Sequence, residues 1–224
     1  MIKGIILDFD GLIIDTESAW YEALDRVFET YQVQLPFDLW VKCVGASHEV
    51  FDPYQYFAEH CRTTYDIEDI KERVHEQHSV IMSQRELRPG VVDYLQTARS
   101  MGLRVGIASS SHLSWIKPYL QKFQIESYIE SIRCADYVKR VKPDPEVYKL
   151  ALQSLELQPE ETIAFEDSPN GAKAAYLAGL HVVTVPNEVT ERLQFGPHSL
   201  RLKSMSEMPL ADVIQRVMER KQTP

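Results

Sequence analysis

The chain opens on an apolar run, Ile5-Ile-Leu7, that leads directly into Asp8-Phe-Asp10-Gly11. A strand so uniformly hydrophobic is expected to be covered on both faces, as in a parallel sheet. The pattern then changes. Between residues 17 and 85 apolar positions recur at helical spacing, as at Ala19, Ala23, Val27 and Tyr31, with further helical patterns over 48–62 and 67–84. No strand pattern interrupts them. Arg88-Pro89-Gly90 is a break, followed by a predicted helix over 91–101 that Gly102 stops. From Leu103 onward strands and helices alternate. Strands are predicted over 103–108, 128–134, 162–165 and 181–185, and helices over 115–123, 145–155, 172–178 and 210–221. Such alternation predicts an α/β fold with a doubly wound parallel sheet. The helical stretch interrupts it immediately after the first strand and reads as an inserted all-α cap domain. The predicted division is a core of 1–15 and 88–224 and a cap of 16–87, with hinges near 12–16 and 86–89.

Ligands of parallel α/β sheets collect beyond the carboxyl ends of the strands, so the residues just after each strand carry the chemistry. The first strand ends in Asp8 and Asp10, the second in Ser109-Ser110-Ser111, and the strand over 162–165 in Glu166-Asp167-Ser168. Lys142 lies in Val-Lys-Pro-Asp-Pro, ahead of the helix expected from Pro145. Carboxylates beside a sheet core are costly unless paired or neutralised, and a divalent cation would account for them. The set suits metal-assisted phosphoryl transfer. Asp8, nearest the strand, is the better-fixed nucleophile, and Asp10 on the turn is placed to act as acid and base. Mg2+ prefers oxygen ligands, here Asp8, Asp167, Glu166 and the carbonyl of Asp10. Ser109 and its neighbour Ser110 offer hydroxyl and backbone donors to a phosphate, and Lys142 adds a compact positive charge.

Bulk composition narrows the partners. Of 224 residues, 44% are hydrophobic and 25% charged, with a net charge of −9. That balance argues against nucleic acid and anionic membrane as partners and leaves a small phosphorylated substrate. No apolar run approaches the ~20 residues of a membrane span. Three cysteines without CxxC spacing, and an N-terminus with Lys3 but no cleavage pattern, predict a cytoplasmic protein. A monomer is expected, with a homodimer as the alternative.

Taken together, Asp8-Phe-Asp-Gly, Ser109, Lys142-Pro-Asp-Pro and Phe165-Glu-Asp-Ser resemble the haloacid-dehalogenase-like (HAD) hydrolase superfamily. Asp10-Gly-Leu-Ile-Ile-Asp-Thr and the early helical insert are similar to its β-phosphoglucomutase and phosphoglycolate-phosphatase branch. The resemblance implies a Rossmann-like core, a mobile cap, and Mg2+-dependent hydrolysis of a phosphate ester. It also implies Asp8 as nucleophile, Asp10 as acid/base and Asp167 as a metal ligand. The dehalogenases of the group lack the second aspartate, so Asp10 argues against dehalogenation. The mutases of the branch carry a histidine where this chain has Trp20, and an arginine where His48 follows Gly45-Ala-Ser47. An imidazole is a weaker phosphate clamp than a guanidinium, which favours a phosphatase acting on a sugar-phosphate-like metabolite over the alternative, a phosphosugar mutase. Trp20, Val44, Gly45 and His48 are then the expected cap contacts to substrate.

Other features have plainer explanations. His75 and His78 lack the order of a zinc motif and are expected to be exposed. Trp40, Phe51, Tyr54, Tyr56 and Phe57 are expected to pack a cap core. Glu68, Asp69, Lys71, Glu72 and Arg73 read as a solvated helix face.

Overall fold

A computed structural model describes residues 1–45 and 51–220. Among these residues the core is a six-stranded parallel sheet in the order β3-β2-β1-β4-β5-β6. Its strands are β1 (Gly4–Leu7), β2 (Arg104–Ala108), β3 (Ser131–Arg133), β4 (Thr162–Glu166), β5 (His181–Thr184) and β6 (Leu200–Arg201). The chain winds outward from β1 through β2 to β3, then returns to the other side of β1 for β4. The carboxyl ends of β1 and β4 therefore flank the point where strand order reverses, the position at which such sheets bind ligands. Register pairs Leu7 with Ile107 on one side and with Phe165 on the other.

Alternation along the strands assigns side chains to the two faces. On one face Ile6, Ala108, Ala164 and Val182 pack with Val147, Tyr148 and Ala151 of α7 (Glu146–Ser154) and with Ala172 and Ala175 of α8 (Pro169–Leu177). On the other, Phe165 meets Tyr94 of α5 (Val91–Ser100), ring centroids 5.4 Å apart, and α5 packs against α9 (Leu210–Arg220). Two residues after Ile6 and Ala164 the same alternation delivers Asp8 and Glu166 to the sheet edge. Gly90 shows why no other residue serves ahead of α5. Its φ is +89°, and a Cβ there would lie 2.4 Å from backbone atoms of Met205 and Ser206.

The chain divides into two compact units. One comprises Met1–Ile14, Leu87–Asn187 and Gln194–Pro224, and the other Asp15–Glu86 with Glu188–Leu193. The second unit is helical: α1 (Glu17–Glu29), α2 (Phe37–Gly45), α3 (Pro53–His60) and α4 (Ile67–Gln84). Helices α1 and α4 form its centre, burying Ala19, Ala23, Val27 and Phe28 against Ile70, Val74 and Ile81. Phe57 is fully buried and meets Phe28 at 4.7 Å and Tyr65 at 5.2 Å, and Trp40 is buried too, whereas Phe51, Tyr54 and Tyr56, expected in the same core, are only half-buried. Glu68, Asp69 and Glu72 are exposed.

The structure departs from the sequence pattern in several places. Helix α3 starts at Pro53, because Asp52 caps it by accepting from the N–H groups of Tyr54 (2.8 Å) and Gln55 (3.4 Å); the part of the expected helix over 48–50 lies outside the described residues. Helix α2 and the two-residue β6 are additions. Strand β3 keeps only three of the seven residues expected, with a short 3₁₀ turn before it.

His78 also corrects an expectation. It is buried, one turn beyond Val74 on the face of α4 that packs inward, and its ring stacks on Trp20 at 3.7 Å. Burial, and secondarily the charge of His75, push its pKa down to about 4 from an ordinary 6.5. The unfolded chain therefore takes up this proton before the folded one does. Stability from a neutral His78 is complete above pH 6.5 and declines as pH falls toward 4, by at most about 3 kcal/mol. Urea unfolding at about pH 7.5 and about pH 5 should show wild type losing more stability on acidification than His78→Leu. Equal losses would remove His78 from the account.

Candidate active site

Two clusters lie at the carboxyl edge of the sheet. The first is acidic. Asp8 follows β1 while its backbone N–H still joins the ladder, donating to Phe165 O at 3.0 Å. Glu166 ends β4 on the face shared with Ala164, and Asp167 comes next. Each of the three offers an oxygen, these atoms lie within 4.8 Å of one another, and the residues are 6%, 0% and 1% exposed. Lys142 enters from the loop before α7, donating from Nζ to Asp8 Oδ1 at 2.6 Å and to Glu166 Oε1 at 2.7 Å. The Tyr148 hydroxyl also donates to Glu166 Oε1, and the ring of Tyr148 lies 5.2 Å from Nζ. Asn187 donates to Asp167 Oδ2 at 2.9 Å.

The electrostatics follow from one ammonium among three buried carboxylates. Burial first, and then the charge of Glu166, push the Asp8 carboxyl up to about 7 against the pull of Lys142. Burial disfavours the Lys142 ammonium, but Asp8 and Glu166 outweigh it and hold the pKa above the ordinary lysine value. The site is short of positive charge. Three hard oxygen donors that close together, with too few cations, fit a small divalent ion such as Mg2+.

The second cluster surrounds Asp10. Its Oδ2 accepts from Ser111 Oγ at 2.6 Å and from Ser109 Oγ at 3.3 Å, and its Oδ1 accepts from Trp115 Nε1 at 2.8 Å. Ser109 is fully buried at the end of β2, fixed by its N–H to Arg133 O (3.0 Å) and accepting from Ser111 N–H (2.9 Å). Burial raises the Asp10 carboxyl above its ordinary value, with the Ser111 and Trp115 hydrogen bonds opposing. Trp115 belongs to α6 (Leu113–Lys122), which follows the serine loop directly. Beneath both clusters Arg88 donates to the carbonyls of Gly11, Val185 and Pro186, joining the turn after Asp10 to the end of β5.

The sequence pattern described as haloacid dehalogenase-like hydrolase matches residues 5–185. The chain belongs to that family. Among proteins similar to this hydrolase, YhcW of Bacillus subtilis is 42% identical over 211 residues, covering 94% of this chain and 96% of its own. The phosphorylated carbohydrates phosphatase of Thermotoga maritima is 32% identical over 180 residues, covering 80% and 82%. The crystal structure of CbbY from Rhodobacter sphaeroides in complex with phosphate matches with a TM-score of 0.68 at 28% identity, covering 94% and 98%.

Of the residues singled out in the sequence of this hydrolase, Asp8, Lys142, Glu166 and Asp167 converge. Asp10 and Ser109 meet in the adjoining cluster, where the Asp10 carboxylate is held by hydroxyl and indole donors. Ser110 is exposed, and it is Ser111 that reaches Asp10. In the helical unit Trp20 lines a cavity of about 540 Å³ with Leu24, Trp40, Tyr54 and His75. Gly45 ends α2, and His48 lies outside the described residues. Trp115, Tyr148 and Asn187 are not singled out in the sequence, and Ser111 figures there only as a member of the serine triplet, without a role. Ser111 closes the serine triplet after β2, and Trp115 comes four residues later, about one helical turn.

Proposed function

We propose that this hydrolase is a Mg2+-dependent phosphatase that cleaves a small phosphorylated, carbohydrate-like metabolite through an aspartyl-phosphate. The observation that carries the reading is the buried acid triad with Lys142 bridging two of its members, set beside an Asp10 held on hydroxyl donors. The name of the Thermotoga maritima relative supports the substrate class. Lys142 fixes one oxygen of Asp8 and so orients the carboxylate toward phosphorus. An oxygen of Asp8 attacks, the bond to the leaving oxygen breaks, and Asp10 supplies that oxygen with a proton. Asp10 then takes a proton from a water whose oxygen attacks phosphorus, which releases phosphate and restores the Asp8 carboxylate. Ser109, with Ser110 and Ser111, supplies donors to the phosphate oxygens. Asp8, Asp167 and the Asp10 carbonyl would hold Mg2+, with Glu166 alongside chiefly engaged by Lys142 and Tyr148. The ion, when bound, lowers the repulsion between anionic nucleophile and anionic ester.

The helical unit is the cap in this reading, with Trp20, Gly45 and His48 as its contacts to the leaving group. The phosphatase is favoured over the phosphosugar mutase because His48, not arginine, follows Gly45-Ala-Ser47. The free thiols Cys61 and Cys134 suit a cytoplasmic location. Release of inorganic phosphate from a panel of phosphorylated sugars, alditols and nucleotides tests the proposal. Chelation of Mg2+ should lower the rate at least about tenfold, and Mg2+ should raise the melting temperature. Isomerised sugar phosphate without net phosphate release would transfer the assignment to a mutase.

A further inference from the structure

The donors that hold Asp10 are those the proposed reaction assigns to phosphate. Ser111 and Ser109 both donate to Oδ2, and a carboxylate and a phosphate are anions competing for the same hydroxyls. Asp10 also needs an oxygen turned toward the leaving group, so its bond to the serine loop must be exchanged during turnover. Its other oxygen is held differently. Oδ1 accepts from the indole N–H of Trp115, a donor on a rigid ring without the rotational freedom of a hydroxyl.

That ring is braced by a neighbouring aromatic and by its anchored helix. It meets Tyr119, one turn further along α6, with centroids 5.0 Å apart, and Tyr119 lies 6.2 Å from Phe9, the residue between Asp8 and Asp10. The start of α6 is anchored by Asp136, which accepts from Leu113 N–H at 2.7 Å and pairs with His112 Nδ1 at 3.1 Å. The indole is therefore a fixed point and the serine hydroxyls are exchangeable ones.

We infer that Trp115 is a positioning residue, the pivot of Asp10: it keeps Oδ1 throughout, while Oδ2 passes from the serine loop to the leaving oxygen as phosphate occupies the hydroxyls. The inference rests on the phosphatase reading for its consequence but not for its contact. Without the indole donor, phosphate still finds Ser109, Ser111 and Lys142, while Asp10 loses its fixed end.

Two measurements test it. Trp115→Phe keeps an aromatic ring against Tyr119 and removes the donor. On the substrate that the phosphate-release panel identifies, kcat should fall about tenfold with KM within about threefold of wild type. The indole N–H resonances of Trp20, Trp40 and Trp115 supply the second readout, independent of turnover. The Trp115 resonance, assigned from the Phe variant or by selective labelling, should move in Asp10→Ala by more than the other two. A Trp115 resonance unmoved by Asp10→Ala overturns the inference, as does Trp115→Phe with wild-type kcat or with a loss confined to KM. Wild-type protein inactive on the whole panel would defeat the phosphatase reading instead, and the resonance shift would still decide whether Trp115 holds Asp10.

Discussion

Replacing Asp8 with asparagine is expected to lower turnover by at least about a thousandfold while leaving the protein folded. An amide oxygen is too weak a nucleophile to form the acyl phosphate, and nothing nearby substitutes for it. Glu166 is bound to Lys142 and Tyr148, and Asp10 is tethered to the serine loop and Trp115. Asparagine has nearly the same shape and still accepts a hydrogen bond from Lys142, so packing at the end of β1 persists. The stability effect is a small difference between opposing changes. Removing one of three clustered carboxylates relieves the burial and repulsion that push Asp8 up to about 7, but it weakens the pairing of Lys142. Hydrolysis of p-nitrophenyl phosphate, with circular dichroism melts in parallel, checks both halves. Wild-type rates from a folded Asp8→Asn protein would end the aspartyl-phosphate mechanism.

How far the sequence foretold this arrangement depends on whether the information was local. Central strands β1 and β4 are covered on both faces, so they appear as continuous apolar runs, and the acidic residues at their ends stand out by contrast. Edge elements carry weaker patterns. Strand β3 has partly exposed residues throughout, and β6 is two residues with Leu200 buried and Arg201 exposed, too short for any period. His78 was legible in principle, since 70, 74, 78 and 81 fall on one helical face, but its polarity argued against what its position required. In the site, Asp8, Lys142 and Asp167 announced themselves through strand ends and charge. Tyr148 and Asn187 did not, because their partners Glu166 and Asp167 stand 18 and 20 residues away along the chain and meet them only through the fold. Sequence proposes the charged participants, and the tertiary fold selects the neutral groups that hold them.

Gly171 is where packing and chemistry meet most tightly, and Gly171→Ala is expected to damage both. Within a helix, glycine to alanine ordinarily stabilises by roughly 0.5–1 kcal/mol. Here a Cβ would lie 2.0 Å from Glu166 Oε2 and 2.2 Å from Oε1, inside any permissible contact. A long side chain could swing aside on a surface. This carboxylate cannot do so cheaply, because it is fully buried and bound to Lys142 and Tyr148. Displacing it separates Lys142 from one of its two anions, and the ammonium that fixes Asp8 moves with it. We expect a loss of about 2–3 kcal/mol in stability and about a hundredfold in kcat. A double-mutant cycle isolates the cause: in a Glu166→Ala background nothing occupies the space, and Gly171→Ala should become neutral or mildly stabilising. Urea denaturation of the four proteins measures this. If the penalty persists in the Glu166→Ala background, the close approach of α8 to the sheet would be the constraint, and the carboxylate would not.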